Sequence, residues 1–170
     1  MLSLGEKTSH PVRAPVRADT RAGDGGVRRE FEYVRKGTVS WYGVQDCVSG
    51  AVQMLRARSS MDSAAFIEVL EYLKDVHGPD FMLIMDNGPA HTSPATTAWL
   101  AEHPGIEILL TPKHASWVNP IESVFGIVTR QVLEHDWFTT GDDCDQAVRE
   151  WVQERTRTHR PVSFTWQLAA

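Results

Sequence analysis

The sequence lacks most of the features that mark secreted, membrane or thiolate-metal proteins. It contains two cysteines, Cys47 and Cys144, which lie far apart and form no paired redox or zinc motif. No apolar run approaches the roughly 18 residues that a membrane span needs, and no apolar signal-peptide core follows Met1. These absences predict a cytoplasmic protein with two reduced thiols, and 170 residues suit a single domain.

Several enzyme motifs are missing as well. The chain has no Gly-rich phosphate loop and no Gly-x-Ser-x-Gly nucleophile elbow. Its seven histidines show no ligand spacing such as His-x-x-x-His. The sequence therefore gives no support to a P-loop enzyme, a serine hydrolase or a zinc protease.

Positive charge is scarce, and much of it lies near the amino end. The net charge is −5 at pH 7, whereas proteins that bind nucleic acid through bulk charge are usually basic. Residues 1–37 hold eight Lys and Arg against five Asp and Glu, and residues 38–170 hold nine against seventeen. A DNA contact therefore needs a local patch. The candidates are Arg28, Arg29, Arg35, Lys36, Lys113 and His114. The alternative is that the basic stretch is a solvated, flexible leader.

Periodicity divides the chain into an arm and an alternating series of strands and helices. Residues 5–30 contain several Pro, Gly and Arg and no apolar period, which predicts an extended arm, with order beginning near Phe31. The later pattern predicts a hairpin over 38–44 and 51–55, strands over 81–85 and 106–110, and helices over 60–77, 93–102, 119–132 and 140–157. This alternation predicts an α/β fold with a mixed sheet covered by helices.

Two carboxylates stand out by their positions. Asp86 directly follows the apolar run 81–85, and ligand sites in open α/β sheets lie beyond the carboxyl ends of such strands. Glu122 opens a predicted helix, after a loop that returns from the neighbouring strand. Both side chains are therefore expected at one edge of the sheet, where paired carboxylates favour Mg²⁺ or Mn²⁺ over zinc.

Each candidate also has a purely structural interpretation. Residues 86–88 form an ordinary turn sequence, and Asn119 with Glu122 fits a helix capping box. His91 either orients a phosphate or a metal-bound water, or is a polar surface residue. The residues taken singly leave these alternatives open.

Three segments, in order, carry a family resemblance. Residues 86–91 resemble the Asp-Asn-x-x-x-His motif of mariner-like bacterial insertion-sequence transposases, which are DDE superfamily endonucleases. Residues 111–122 are similar to that family's Thr-Pro-x-x-x-Ser-x-x-Asn-x-x-Glu segment, and residues 31–38 to its Tyr-x-Arg-x-Gly-Thr entry to the central hairpin. The 35 residues between Asp86 and Glu122 are within the family's usual range.

The resemblance implies a ribonuclease-H-like fold and a two-metal site using Mg²⁺ or Mn²⁺. Asp86 would be the second acid of that site and Glu122 the third. Asn87, His91 and Asn119 would position the ligands or a phosphate, and the implied reaction is DNA strand cleavage and joining. The implied partners are DNA transposon ends, and a second copy of the chain or a separate helix-turn-helix chain.

The chain departs from the family pattern at the first acid. That acid normally ends the first strand in an Asp-Glu-Lys context, and here Gly5 stands at its position. Glu6 is a poor substitute, because neighbouring strand residues point to opposite faces. The family's helix-turn-helix modules do not fit ahead of Gly5. The expectation is the carboxy-terminal part of a split or decayed transposase, with residues 1–30 as a truncated strand and flexible basic arm and residues 31–170 as the catalytic domain.

The sequence therefore predicts a DDE-type transposase catalytic domain that Gly5 impairs. The alternative is a non-catalytic remnant that binds DNA or oligomerises. A third option is an unrelated metal-dependent phosphohydrolase.

Overall fold

The computed structural model describes residues 1–21, 26–28, 31–57, 60–112, 118–134 and 137–157. The strands are β1 (Leu2–Pro15), β2 (Thr20–Arg21), β3 (Val27–Arg28), β4 (Tyr33–Asp46), β5 (Val52–Arg56), β6 (Phe81–Met85) and β7 (Ile106–Leu110). The helices are α1 (Ser63–His77), α2 (Pro94–Ala101), α3 (Pro120–Val128) and α4 (Gly141–Arg157), and a π-helical turn over Thr129–Leu133 follows α3.

The main sheet has five strands in the order β5-β4-β1-β6-β7, while β2 and β3 form a separate ribbon. Central strand β1 runs antiparallel to β4 and parallel to β6. β4 is antiparallel to β5, and β6 is parallel to β7. The sheet is therefore mixed, as the sequence predicts. Because Ser3 pairs with Ile84, the end of β6 lies level with Gly5.

Each face of the sheet carries its own apolar core. On one face, Phe66 and Leu70 of α1 pack against Leu4 and Leu83 of the sheet. On the other face, α3 and α4 cover β1, β4 and β5, and Trp41 is fully buried there. Two helical layers thus enclose the sheet and leave the carboxyl end of β6 and the adjacent Gly5 of β1 at a common edge.

Helix α3 approaches the sheet closely because two glycines face each other across β1 and β4. Gly5 pairs with Gly43. A Cβ added at Gly43 would lie 2.4 Å from Phe125 Cε1, and one at Gly5 would lie 2.7 Å from Ile121 Cγ2. Since real Cβ atoms do not approach neighbours this closely, the glycine pair sets the depth at which α3 sits.

The expected arm over residues 5–30 is wrong for residues 5–15, and order does not begin at Phe31. β1 continues to Pro15, paired with the first part of β4, which itself begins at Tyr33 and not at residue 38. Val12 and Ala14 are buried and alternate with exposed Arg13, which is the period of a strand. The boundary at residue 30 therefore cuts through the sheet, since residues 2–15 belong with the fold of residues 31–157.

The helices agree better with the sequence. Asp62 caps α1, accepting hydrogen bonds from the backbone N–H of Ala64 and Ala65, and Ser93 caps α2. The predicted helix over 119–132 is divided into α3 and the π-helical turn. Cys47 and Cys144 are both unpaired thiols. Within the described ranges no helix has the length and apolarity to cross a membrane.

Candidate active site

Asp86 stands at the end of β6, where the buried strand meets the exposed sheet edge. Its Oδ1 accepts a hydrogen bond from the Gly88 backbone N–H at 2.9 Å and lies 2.8 Å from His91 Nδ1. Residues 86–88 therefore form the turn that their sequence predicts. The turn holds one carboxylate oxygen and leaves about half of the Asp86 side chain open to solvent.

Asn87 connects this turn to the next strand. Its side-chain amide donates to the Thr111 carbonyl at 2.7 Å, and the Thr111 N–H donates to the Met85 carbonyl at 2.8 Å. The ends of β6 and β7 are thus joined on both sides of Asp86. Asn87 acts on the position of the loop, and its amide nitrogen is already engaged within the protein.

His91 is a buried residue and not a polar surface residue. It is 4% exposed, its ring packs 4.4 Å from the ring of Phe66, and its Nε2 lies 3.3 Å from Glu6 Oε1. Burial opposes protonation, but the Glu6 contact, the Asp86 backbone carbonyl and the two carboxylate charges outweigh it and raise the pKa of His91. His91 therefore bridges β1 and Asp86, between two carboxylates that favour its protonated form.

Asn119 does not form the capping box. Its side chain makes no capping hydrogen bond to α3. Instead its Oδ1 accepts from Ser3 Oγ at 2.5 Å and its Nδ2 donates to the Leu4 carbonyl at 2.7 Å. Ser3 Oγ in turn accepts from the Ile121 N–H at 2.9 Å. A serine of β1 thus satisfies the start of α3, and Asn119 joins that helix to the strand carrying Gly5.

Glu122 projects from the first turn of α3 toward the same edge. Burial, reinforced by the negative charge of Asp86 and opposed by the positive charge of Lys7, raises the pKa of Glu122. The carboxylates of Asp86 and Glu122 are thus close enough to repel each other. A cation between them would remove the repulsion, which is the electrostatic condition for a hard-metal site.

Gly5 faces this carboxylate pair. A Cβ built on Gly5 would lie 3.5 Å from Glu122 Oε1. Glu6, the neighbouring residue, pairs with Tyr42 across the strands and contacts His91 in the core of the opposite face. The two adjacent residues therefore point to opposite sides of the sheet, and the carboxylate of Glu6 is committed to His91.

Two residues near the site were missed at the level of sequence, namely Ser3 and Lys7. Both share the face of Gly5 by the alternation of β1, and the Lys7 charge acts on Glu122. The signal was available in this period of two. Lys7 was overlooked because residues beyond Gly5 were expected to form an arm, and Ser3 because its partners Asn119 and Ile121 lie more than 100 residues away along the chain.

The two candidate DNA contacts whose side chains the structure describes lie on a different part of the fold. Arg35 and Lys36 are exposed on β4, and Arg35 pairs across the strands with exposed Arg13. Arg28 lies on β3, but its side chain is not described. Arg29, Lys113 and His114 lie wholly outside the described residues. Of the six predicted contacts, the structure thus places two side chains, Arg35 and Lys36. Both lie where the end of β1 pairs with the start of β4, which is called the β1–β4 ribbon below.

No complete metal cage is preformed in the described part of the chain. It contains no group of three or more His, Cys, Asp or Glu side chains arranged to hold an ion. The carboxylates that converge are Asp86 and Glu122, and the position facing them on β1 is a glycine.

Comparison with known proteins identifies this arrangement. The family model described as DDE superfamily endonuclease matches residues 8–145. An uncharacterized 39 kDa protein of insertion element IS630 from Shigella sonnei is 31% identical over 119 residues, which are 69% of this chain and 31% of that protein. The chain thus spans about a third of the length of this relative.

Solved transposase structures share the fold. The Mos1 transposase paired-end complex with the left transposon end has a TM-score of 0.61 and 17% identity, over 89% of this chain and 47% of that one. The Mos1 catalytic domain with Raltegravir and Mg has a TM-score of 0.59 and 13% identity, over 89% of this chain and 70% of that one. The predicted ribonuclease-H-like fold is confirmed. With the family model matching most of its length, this chain belongs to the DDE superfamily endonucleases.

Proposed function

We propose that this chain is the catalytic domain of a DDE transposase, that its reaction is metal-dependent DNA strand cleavage and joining, and that Asp86 and Glu122 are its metal ligands. The observation that carries the proposal is the convergence of three elements. Asp86 ends β6, Glu122 opens α3, and a Cβ on Gly5 of β1 would reach within 3.5 Å of Glu122 Oε1.

The two carboxylates fit one hard cation. Mg²⁺ is commonly held by one or two carboxylates and completes its shell with water and substrate phosphate. Asp86 and Glu122 supply that donor set, and burial together with the negative charge of Asp86 raises the pKa of Glu122. Such an ion, when bound, polarises a phosphate oxygen and activates the attacking hydroxyl.

The neighbouring residues hold these ligands in place. His91 contacts Asp86 Oδ1 on one side and Glu6 on the other. Asn87 fixes the loop after β6 through the Thr111 carbonyl, and Asn119 fixes the start of α3 through β1. In this proposal all three are positioning residues, which act on the reaction through the geometry of Asp86 and Glu122.

Gly5 leaves the proposed centre one carboxylate short. A two-metal reaction needs ions held in fixed geometry about the phosphate, and glycine offers no ligand atom. The residual pair is expected to bind a divalent ion weakly and to support little strand cleavage. Electrostatic stabilisation by one neutral donor is worth roughly 10²–10³ in rate, and the loss of a charged ligand is expected to cost more.

The proposed DNA partner would meet the basic part of the β1–β4 ribbon. Arg13 and Arg35 lie opposite each other, an arrangement that is unfavourable for two like charges unless an anion shares them. Lys36 is exposed beside them. The Mos1 structures that share this fold include complexes with transposon ends. In this proposal a second copy or a separate helix-turn-helix chain would add end recognition, and the reaction would take place in the cytoplasm.

A non-catalytic role has one observation in its favour. Gly5 and Gly43 allow Ile121 and Phe125 of α3 to pack directly against the sheet. If Gly5 serves this packing alone, the chain is a remnant that binds DNA through the ribbon without cleaving it. The two functions predict different activities for a protein with a carboxylate returned to position 5.

Nicking of supercoiled plasmid with Mn²⁺ separates the two functions. The proteins compared are the native chain, Gly5→Asp, Gly5→Ala, and Gly5→Asp combined with Glu122→Gln. Gly5→Ala carries the same Cβ contact with Ile121 but no carboxylate, so it controls for packing. Nicking by Gly5→Asp alone supports the proposal. Equal nicking by the native chain and Gly5→Asp, or none by a folded Gly5→Asp protein, contradicts it.

A further inference from the structure

Two exposed aromatic rings lie beside the basic residues of the β1–β4 ribbon. Tyr33, the first residue of β4, is 42% exposed, and Trp137, between the π-helical turn and α4, is 37% exposed. Their ring centroids lie 6.0 Å apart, and the ring planes are inclined by 34°. Contiguous exposed apolar surface of this kind marks an interaction site more often than single exposed residues do.

The backbone of β1 and its neighbours hold both rings in place. The Phe138 N–H donates to the Arg13 carbonyl at 2.8 Å, and the Phe138 side chain is buried in the core that α3 and α4 cover. Trp137 is therefore anchored beside β1 by the residue that follows it. Tyr33 pairs with Pro15 across the ribbon, so its position is set by the sheet.

Two arginines share the face of Tyr33. Arg13 pairs with Arg35 and Pro15 pairs with Tyr33, and strand residues two apart point to the same side. The guanidinium carbon of Arg13 lies 5.1 Å from the centre of the Tyr33 ring, as in a cation–π contact. Arg13, Tyr33, Arg35 and Trp137 thus form one surface, which is called the stacking patch below.

The stacking patch combines the two elements of single-strand recognition. Unpaired bases stack on aromatic side chains, while basic side chains follow the phosphates of the same strand. A duplex keeps the faces of its bases inside its own stack, so it meets the arginines but gains nothing from the rings. The pairing of rings with cations therefore favours unpaired nucleic acid over a duplex.

A second copy of the chain is a poor occupant for this surface. The paired segments 13–17 and 31–36 carry four positive charges against one negative charge. Two such surfaces repel each other, whereas they attract a polyanion. The whole chain has a net charge of −5, so the positive charge of the ribbon is a local feature that matches an anionic partner.

We propose that the stacking patch binds unpaired DNA, with bases stacked on Tyr33 and Trp137 and a phosphate shared by Arg13 and Arg35. This binding rests on the proposed function, since DNA is taken as the partner, and it adds that the DNA is single-stranded at this surface. The shared phosphate also accounts for two arginines that lie directly opposite each other.

Fluorescence anisotropy tests the proposal with a labelled single strand of about 12 nucleotides and a duplex of the same sequence. The buffer contains EDTA, so that no divalent metal takes part. We expect the single strand to bind at least about fivefold tighter than the duplex. Tyr33→Ala and Trp137→Ala should each weaken single-strand binding by about tenfold and leave duplex binding unchanged.

Two further variants serve as controls. Trp137→Phe keeps an aromatic ring and should retain most of the single-strand affinity. Tyr72→Ala removes an exposed tyrosine from α1 and should leave binding unchanged. Urea denaturation of each variant shows whether it is folded.

Salt dependence separates stacking from charge. Trp137→Ala should lower single-strand affinity by the same factor at every salt concentration, because stacking on a neutral ring releases no counterions. Arg35→Ala should instead reduce the slope of log affinity against log salt by about 0.7, the contribution of one phosphate contact on a single strand.

Three outcomes would overturn the proposal. The first is equal affinity of the native chain for the single strand and the duplex. The second is unchanged single-strand binding in folded Tyr33→Ala and Trp137→Ala. The third is self-association of the native chain, seen by sedimentation velocity, that both variants abolish without a change in DNA binding, which would assign the rings to a second copy.

The nicking experiment on position 5 gives an independent result. If the rings carry single-strand binding while Gly5→Asp does not nick, the proposed reaction is wrong and the stacking patch stands. If Gly5→Asp nicks while single-strand binding ignores both rings, the stacking patch alone is wrong.

Discussion

His91 Nδ1 lies 2.8 Å from Asp86 Oδ1, and the other ring nitrogen lies 3.3 Å from Glu6 Oε1. A buried imidazole thus joins the residue after Gly5 on β1 to the carboxylate that ends β6. This contact supports the proposal that Glu6 does not take the place of a first acid. Its carboxylate is turned into the opposite face of the sheet, where it faces His91.

We expect His91→Ala to destabilise the fold by about 1–3 kcal/mol, because it removes the 3.3 Å charge contact with Glu6 Oε1, a buried oxygen without a hydrogen-bond partner among the described residues, and the packing on Phe66. Urea denaturation measures the free energy of unfolding. Adding Glu6→Gln to His91→Ala should recover part of the loss, since it removes the unpaired charge. If the two substitutions are simply additive, the Glu6–His91 contact does not contribute.

His10 should make stability depend on pH. Burial and the positive charges of Lys7 and Arg13 lower the pKa of His10 below its ordinary value of 6.5. The unfolded chain therefore binds the proton more readily, so the stabilisation is complete above pH 6.5 and is lost as the pH falls through the lower folded pKa. Urea midpoints between pH 5 and pH 7 should rise with pH, and His10→Gln should reduce that rise. If His10→Gln leaves the rise of the urea midpoint with pH unchanged, groups other than His10 cause that rise.

DNA binding should be weak, salt-sensitive and dependent on the basic residues of the β1–β4 ribbon. Each phosphate contact contributes a slope of about −0.9 to the plot of log affinity against log salt. Arg35→Ala and Lys36→Ala should each reduce the magnitude of that slope by about one contact, as measured by fluorescence anisotropy on random and inverted-repeat duplexes. Lys74→Ala, on α1 beside Glu71, is the control and should leave it unchanged. Tight binding to one sequence, or a flat salt response, would refute this assignment.

Local patterns in the sequence predicted the strands and helices whose residues show a clear apolar run or a helical period. The apolar run of β6 and the helical period of α1 were enough to place both. The far part of β1 was missed, because Pro11 and Pro15 suggested a loop and its pairing partner lies about 20 residues away along the chain. The alternation of Val12, Arg13 and Ala14 was the overlooked signal.

In the candidate site, too, some residues could be predicted from local sequence patterns and others could not. Spacing and family resemblance singled out Asp86, Glu122 and Gly5, and the fold brings all three to one edge. The role of Asn119 could not be read from its neighbours, because its partners Ser3 and Leu4 lie more than 100 residues away along the chain. The packing of Ile121 over Gly5 is likewise a contact between distant segments.

The central claim is that Asp86, Glu122 and position 5 form one metal centre that lacks a ligand. The most direct test is Mn²⁺ affinity, measured by electron paramagnetic resonance of the free ion, for Gly5→Asp against Gly5→Ala. Both variants place a Cβ against Ile121, so they differ in the carboxylate alone. We predict at least about tenfold tighter binding by Gly5→Asp, with the gain lost when Glu122→Gln is added. Equal affinities in the two position-5 variants would contradict the account.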